Sequence, residues 1–117
     1  MAESKNLRLD TNDEARGLAE MVLRTCRYGA LAWIEPGTGV PVTSRVGCAP
    51  DIDGTVFFPA SGLSAHTKAL AEDSRCSLLI GEPGKGDPLA HPRLSLVARV
   101  VRVEKGSDAY ARLRRRY

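Results

Sequence analysis

Five short runs rich in β-branched and other apolar residues constrain the fold of this sequence more than any other feature. Gly- and Pro-containing turns punctuate the series, as is typical of strands joined by short connections. Only one short helical stretch, after Leu63, interrupts it, whereas a doubly wound parallel sheet needs a helix between successive strands. We therefore predict a mainly β fold of the α+β class, a small barrel flanked by helices. The five runs cover residues 28–35, 40–49, 55–60, 76–81 and 94–104.

Helical patterns flank the strand series on both sides. Asn12 and Asp13 can cap a first helix that runs to about Arg27, because apolar residues recur there at helical spacing. Residues 107–117 form a last helical pattern, which stops without a cap at its end. We therefore expect the domain to be incomplete at its C-terminus. The apolar positions of the first helix are Ala15, Leu18, Ala19, Val22 and Leu23.

Length and charge limit the classes of function. With 117 residues the chain forms one domain, residues 13–117, preceded by a polar N-terminal arm at residues 1–12. The formal net charge is only +3, and much of it comes from the arginines within residues 112–116. No basic stripe interleaved with aromatic residues is present, so we expect no nucleic-acid partner.

Cysteine and histidine usage argues against a metal or disulfide protein. Cys26, Cys48 and Cys76 are odd in number, widely spaced and form no CxxC motif. His66 and His91 are the only histidines, so metal chemistry has few ligands to draw on. No stretch resembles a signal peptide or a transmembrane span, and we expect a cytoplasmic protein without membrane contact.

The stretch SGLSAHTKAL, beginning at Ser61, has the composition of an anion-binding site. It follows the apolar run TVFFPA, so a strand leads into a new helix whose first backbone N–H groups are unpaired. If Ser64 opens this helix, Ser64, Thr67 and Lys68 share one arc and His66 lies within reach of an anion from the first turn. The competing interpretation is that Ser64 only caps a surface helix.

Arg45 is a second candidate anion ligand, because its planar fork of donors suits a phosphate. In the run VPVTSRVGCA it alternates with apolar residues and lies opposite the valine face. The competing interpretation is an arginine on a solvated strand face. The turn segment PDIDG predicts that this strand and the next pair as a hairpin. Such a hairpin would bring Arg45 and residues 61–68 onto one side of a sheet.

The Gly- and Pro-rich segment GEPGKGDPLAHP, residues 81–92, is predicted to be a loop. Its GKG lacks the spacing of a phosphate-binding loop and the Ser or Thr that follows the lysine, and it lies between two strands. We interpret the segment as a lid, an interface element or a surface excursion.

These motifs together resemble a known family. The order strand, SRV, turn, TVFFPA, SGLSAHTKAL and then RCSLLIGEPGKGDPLAHPRLSLVARVVRV is similar to the FMN-binding split β-barrel family related to pyridoxamine 5′-phosphate oxidase. GDPLAHPRLSL is most similar to the subgroup that includes heme-degrading split-barrel proteins. The resemblance covers residue 14 to the end. It implies a six-stranded Greek-key split barrel that forms a homodimer, with two flavins in clefts between the subunits and a small-molecule substrate.

The resemblance also implies a set of cofactor-binding residues. The family's strand arginine corresponds to Arg45, which would hold the FMN phosphate together with the strand-to-helix junction. The oxidases carry SRK at that junction, whereas this sequence has Ala65 and His66 in place of the Arg-Lys pair, and we do not expect it to oxidise pyridoxamine phosphate. The implied residues are Ser44 and Val46 as backbone contacts, Pro59, Ala60 and Ser61 beside the flavin, and Ser64, His66, Thr67 and Lys68 at the phosphate.

Three hypotheses about function follow. The first is a flavin-dependent oxidoreductase, a reductase or oxidase in which FMN carries the chemistry and no catalytic side chain is required; Trp33 or Phe58 would flank the ring unless it belongs to the core. The second is a heme-binding or heme-degrading protein with His91 as a possible axial ligand, unless His91 is an exposed loop residue. The third is a non-catalytic flavin module, or one that uses a deazaflavin. For Cys48 we weigh a redox role against that of a small buried hydrophobe.

Overall fold

A computed structural model describes residues 12–117. Its elements follow the predicted order of helix, three strands, helix, two strands and helix, with one extra short strand. Asn12 caps the first helix by accepting a hydrogen bond from the N–H of Ala15 at 2.8 Å. Of the predicted N-terminal arm, residues 1–11 lie outside the described part. The elements are α1 Asp13–Thr25, β1 Tyr28–Ile34, β2 Pro41–Gly47, β3 Ala49–Pro50, β4 Val56–Phe57, α2 Ala65–Glu72, β5 Arg75–Ile80, β6 Leu94–Arg99 and α3 Asp108–Arg116.

The main sheet is antiparallel and has four strands in the order β2, β1, β5, β6. The strands β3 and β4 form a separate two-stranded ribbon. This architecture confirms the α+β class, while the closed six-stranded Greek-key barrel stays a prediction. The last predicted strand is shorter than residues 94–104, because Arg99 pairs with Arg75, the first residue of β5, and beyond it the partner strand ends.

One face of the sheet is the core. Strand residues alternate between faces, and the buried ones on β1 and β5 are Leu31, Trp33, Leu78 and Ile80, each at most 6% exposed. Both α1 and α2 add buried residues to the same cluster. We call this side the inner face. Burying apolar side chains on one side only leaves the outer face of the sheet open.

The outer face carries apolar side chains that nothing in residues 12–117 covers. Leu79 is 45% exposed and Val97 is 88% exposed, although both lie within strands. Ala30 and Ala32 of β1 continue this surface across the register with β5. A solvated sheet face normally alternates to polar residues, so these exposed apolar side chains depart from that pattern.

Hydrogen bonds from two of its arginines hold the helix α3 against the two-stranded ribbon. Ser107 caps its start by accepting a hydrogen bond from the N–H of Tyr110 at 3.1 Å. Arg112 donates to the Asp51 carboxylate at 3.0 Å, and Arg116 donates to the carbonyl of Pro50 at 3.1 Å. These contacts fix α3 against the β3 end of the ribbon. None of the helices in the described range is long and apolar enough to cross a membrane.

Candidate functional site

Arg45 lies where the strand pattern predicts. On β2 the side chain of Val46 is buried, whereas Arg45 is exposed on the outer face. Its guanidinium carbon lies 5.8 Å from the centroid of the Tyr28 ring, a cation–π distance. Tyr28 comes from the neighbouring strand β1 and no local sequence signal pointed to it, because it meets Arg45 only through the register of the two strands.

The predicted hairpin is right only in part. The turn after Pro50 does join an antiparallel pair, but this pair is limited to Ala49 with Phe57 and Pro50 with Val56. Strand β2, which holds Arg45, pairs with β1 instead. Since α2 packs on the inner face, Arg45 and the start of α2 do not come together on one side of the sheet within a single chain. The expected convergence was therefore wrong for one copy of this chain.

Ser44 and Val46 point inward, and Ser44 has a structural partner. Its hydroxyl accepts a hydrogen bond from the indole Nε1–H of Trp33 at 3.1 Å. Trp33 itself is 6% exposed, so it is a core residue and does not flank an open cleft. This contact satisfies the polar atom of a buried tryptophan.

The backbone groups at the open edge of β2 are not those of Ser44 and Val46, which were predicted to contact the cofactor. Hydrogen bonds from Cys48 N–H to Arg27 O and from Glu35 N–H to Val40 O set the alternation between β1 and β2. By that alternation Ser44 and Val46 exchange hydrogen bonds with β1. The backbone groups at the open edge of β2 are those of residues 43, 45 and 47.

The start of α2 is a network of hydroxyl groups. Ser64 occupies the N-cap position, but its hydroxyl makes no capping bond to the helix. It donates instead to the Ser61 carbonyl at 2.8 Å and lies 2.8 Å from the Thr67 hydroxyl and 3.3 Å from Nε2 of His66. The capping interpretation is thus right in position and wrong in contact. Within the described residues the N–H groups of positions 65–67 have no backbone or side-chain acceptor.

His66 makes two contacts at this junction, one with Phe58 and one with Ser64. Its half-buried ring packs edge-on against Phe58, with ring centroids 6.4 Å apart. Because Ser64 already donates its proton to a carbonyl, it accepts from His66 when Nε2 carries the hydrogen. Lys68 is exposed, as are Pro59 and Ala60. These exposed residues surround the junction.

His91 belongs to the loop between β5 and β6. Its Nε2 lies 2.8 Å from the carbonyl of Lys85, and its ring contacts the position of Gly84. Asp87 caps a short 3₁₀ turn in the same loop by accepting from the N–H of Leu89 at 2.9 Å. The loop is therefore packed by its own side chains, as in an Ω-loop. The lid and interface interpretations of this loop stay predictions.

The cysteines behave as small hydrophobes. Cys26 and Cys48 are 6% and 1% exposed. Burial raises the pKa of the Cys48 thiol to about 12, and burial also raises that of Cys26. Both thiols are protonated at neutral pH, and a thiol is a far weaker nucleophile than a thiolate. The surroundings of Cys48 therefore support its interpretation as a small buried hydrophobic residue.

Two cavities in the described part of the chain lie away from the predicted cofactor residues. A cavity of about 180 Å³ lies between α1 and the loop after β5, lined by residues that include Cys26 and Glu82. A second, of about 370 Å³, lies at the end of β5 and β6 beside Arg75 and Arg99. Neither is lined by Arg45 or by the start of α2. Residues 12–117 also contain no cluster of three or more His, Cys, Asp or Glu that could hold a metal ion.

Comparisons with known proteins were made by sequence and by fold. No protein-family model matches the chain, and no curated protein matches it. One solved structure is 41% identical with a TM-score of 0.82, and the match covers 92% of this chain and 73% of the other. A protein of unknown function from Agrobacterium tumefaciens is 37% identical with a TM-score of 0.77, over 93% of this chain.

Two further structures carry a stated function. A heme-binding protein from Mycobacterium smegmatis is 28% identical with a TM-score of 0.77, over 92% of this chain. HutZ, a heme storage protein from Vibrio cholerae, is 19% identical with a TM-score of 0.68, over 81% of this chain and 67% of its own, and at that identity shows the fold alone. The predicted relation to FMN-binding oxidases stays a prediction.

The chain is shorter than most of these proteins. It spans 47% of the Agrobacterium protein and 43% of the Mycobacterium protein. The 73% coverage of the structure that is 41% identical is larger, and at that identity two chains share a family. This chain therefore belongs to the same family as that structure, and its structural neighbours include heme-binding and heme-storage proteins of the split-barrel fold.

Proposed function

We propose that this chain is the cofactor-binding core of a heme-binding protein. The observation that carries the proposal is the 28% identity, over 92% of this chain, to the heme-binding protein from Mycobacterium smegmatis. Bound heme would supply an iron atom whose axial ligand tunes its chemistry. The protein's part is to hold the macrocycle, to ligate the iron and to neutralise the two propionate carboxylates.

His66 is our candidate for the iron ligand. Both histidines use Nε2 in a contact within the chain, but the contact of His66 with Ser64 is 3.3 Å long, whereas that of His91 with a backbone carbonyl is 2.8 Å. Ser64 keeps Ser61 and Thr67 as partners if His66 turns away. Releasing His66 therefore breaks one long hydrogen bond and its edge-on contact with Phe58, whereas releasing His91 breaks a short hydrogen bond to the backbone of its own loop. This choice replaces the earlier expectation of His91.

Arg45 and Lys68 are the cations that we assign to the anionic groups of the cofactor. Both are exposed, and among residues 12–117 neither forms an ion pair. A guanidinium binds a carboxylate through two parallel hydrogen bonds, and an ammonium adds a compact charge. The two lie on different sides of the sheet in one chain, so we propose that a second copy brings them to one cofactor.

The homodimer has its own physical support. Apolar side chains on a sheet face that nothing else in residues 12–117 covers are typical of an interface between subunits. The exposed apolar residues Leu79 and Val97 of the outer face would pack in the interface. Sedimentation of the purified chain tests this: a monomer at micromolar concentration contradicts it.

Heme titration tests the proposed function. We expect a Soret band that saturates at one heme per chain, a loss or a large shift of that band in His66→Ala, and little change in His91→Ala. The His91 variant is the matched control, since it removes the same kind of side chain from the loop between β5 and β6 instead of from α2. Saturable heme binding that needs neither histidine would contradict the assignment of His66 as the iron ligand. If the wild type binds no heme, the proposed function is wrong.

A flavin is the second candidate, and the hydroxyl network favours it. Ser61, Ser64 and Thr67 lie at a helix start whose first N–H groups have no acceptor in the described part of the chain, as a phosphate requires. FMN and riboflavin, which lacks the phosphate, are the discriminating pair of probes. FMN binding that exceeds riboflavin binding and depends on Lys68 would support the flavin, whereas equal weak binding of both would reject it.

A further inference from the structure

Three side chains from distant parts of the chain lie on the outer face of β2. Arg45 belongs to β2 itself, Tyr28 begins β1, and Tyr117 follows α3. The Arg45 guanidinium stacks on the Tyr28 ring at 5.8 Å. Tyr28 pairs directly with Gly47 across the two strands, two residues beyond Arg45 on the same face. We call Tyr28, Arg45 and Tyr117 the Arg45 cluster.

Gly47 admits Tyr117 to this face. A Cβ atom at position 47 would overlap the Tyr117 hydroxyl, so the phenol occupies the space that any other residue would fill with its side chain. The contacts of Arg112 with Asp51 and of Arg116 with the Pro50 carbonyl hold α3 in the position that brings Tyr117 there. The absence of a side chain at one strand position thus creates a seat for a hydroxyl donor.

The Arg45 side chain is exposed on the same face as Tyr117. Arg45 pairs with Ala30 across the strands, yet its guanidinium lies over Tyr28, which belongs to the pair that contains Gly47, two residues further along. Within residues 12–117 the Arg45 side chain forms no ion pair or hydrogen bond, so its donors face solvent. A guanidinium and a phenol side by side form a donor set for an oxyanion.

We propose that Arg45 and the Tyr117 hydroxyl together bind one oxyanion of the cofactor, a carboxylate or a phosphate, and that Tyr28 is a positioning residue that holds the guanidinium in place. This inference rests on the proposed cofactor binding and adds two residues to its site. It also gives α3 a role in binding, because α3 delivers a donor to a strand face more than sixty residues away in sequence.

Conservative variants of the full chain test the oxyanion site. Tyr117→Phe removes only the hydroxyl, and we expect about tenfold weaker heme binding, the loss typical of one hydrogen bond to a charged group. Tyr28→Leu removes the ring beneath Arg45 and is expected to weaken binding about threefold, whereas Tyr28→Phe keeps the ring and retains affinity. Tyr110→Phe, elsewhere on α3, is the matched control with no expected effect.

Gly47→Ala tests the seat itself. The added methyl group displaces Tyr117, so the variant should bind heme as weakly as Tyr117→Phe. Combining the two changes should cause no further loss, because both remove the same donor. Circular dichroism and the fluorescence of Trp33 establish that each variant is folded. Additive losses in the double variant would contradict a shared donor.

Esterified heme shows whether the site recognises an oxyanion. In heme dimethyl ester both carboxylates are neutral, so the wild type should bind it more weakly than heme, and Tyr117→Phe should cause no additional loss with the ester. FMN and riboflavin form the second arm, in which the phosphate takes the part of the carboxylate. A Tyr117→Phe effect that is the same for the charged and the neutral ligand would overturn the oxyanion site.

The outcomes separate this inference from the proposed function. A wild type that binds neither heme nor FMN removes both. A wild type that binds heme or FMN with an affinity unchanged in Tyr117→Phe, Tyr28→Leu and Gly47→Ala keeps the function and removes the inference, leaving Arg45 and Tyr28 as an ordinary surface stack. If Tyr117→Phe weakens the binding of heme but not of FMN, the oxyanion is a carboxylate. If it weakens the binding of FMN but not of heme, the oxyanion is a phosphate.

Discussion

Two neighbouring leucines on β5 provide the sharpest test of which face of the sheet is the core. Leu78 is 6% exposed and Leu79 is 45% exposed, so they share a strand and differ in the face they occupy. Truncating Leu78 to alanine removes three buried carbons, worth about 2.4 kcal/mol of transfer free energy, and leaves a cavity. We expect a loss of about 3 kcal/mol in the free energy of unfolding. The same change at Leu79 should cost about 1 kcal/mol.

Urea unfolding measures this difference. Trp33, the only tryptophan of the chain, is buried beside this core and serves as the fluorescent probe. For a domain of this size 1 kcal/mol corresponds to a shift of about 4 °C in Tm, so Leu78→Ala should melt about 12 °C lower and Leu79→Ala about 4 °C lower. Equal losses at the two positions, or a larger loss at Leu79 that does not depend on protein concentration, would refute the assignment of the faces.

Protein concentration separates the core from the proposed dimer interface. If a second copy covers the outer face, the loss caused by Leu79→Ala includes lost subunit contacts, and Tm depends on the concentration of the chain. The loss caused by Leu78→Ala arises within one subunit. We therefore expect dilution to change the Tm difference between wild type and Leu79→Ala, and to leave the difference for Leu78→Ala nearly constant.

Two further predictions concern single polar contacts. Ser44→Ala leaves the indole N–H of Trp33 without its partner, and we expect a loss of about 1–2 kcal/mol in urea unfolding, whereas a loss below about 0.3 kcal/mol would mean that water replaces the hydroxyl. The N–H of Ile52 and then Arg112 lower the pKa of Asp51, so its ionised form is favoured in the folded state, and this stabilisation is fully present above its ordinary pKa of about 3.9 and is lost as the pH falls below it. The protection of α3 against hydrogen exchange, calculated relative to the intrinsic exchange rate at each pH, should therefore stay constant from pH 7 to about pH 5 and decrease at lower pH. The same pH profile in Asp51→Asn would contradict this.

The sequence predicted the features that depend on short-range pattern. Alternation along β2 placed Val46 inside and Arg45 outside, and the capping residue Asn12 fixed the start of α1. The order of strands and helices was also predicted correctly, except for the one extra short strand before α2. These features follow from backbone geometry, since side chains alternate every second residue in a strand and helix starts need a side-chain acceptor.

The candidate site was predicted only in its components. Arg45, Ser64 and His66 were identified because their side chains suit an anion, and their residue types are visible in the sequence. Their arrangement was not, since α2 packs on the inner face while Arg45 lies on the outer one. The turn segment PGTG between β1 and β2 is a local signal for their pairing, but our prediction paired β2 with the strand after PDIDG instead.

By itself, the sequence determined the elements of this protein and which side of each element is apolar, because propensity and periodicity act over a few residues. The tertiary structure alone decided which distant groups meet. The contact of Trp33 with Ser44, the stacking of Arg45 on Tyr28 and the entry of Tyr117 above Gly47 all depend on strand register and helix docking. A shift of one residue in that register would move the side chains of the shifted strand to the opposite face of the sheet, and all three contacts would be lost.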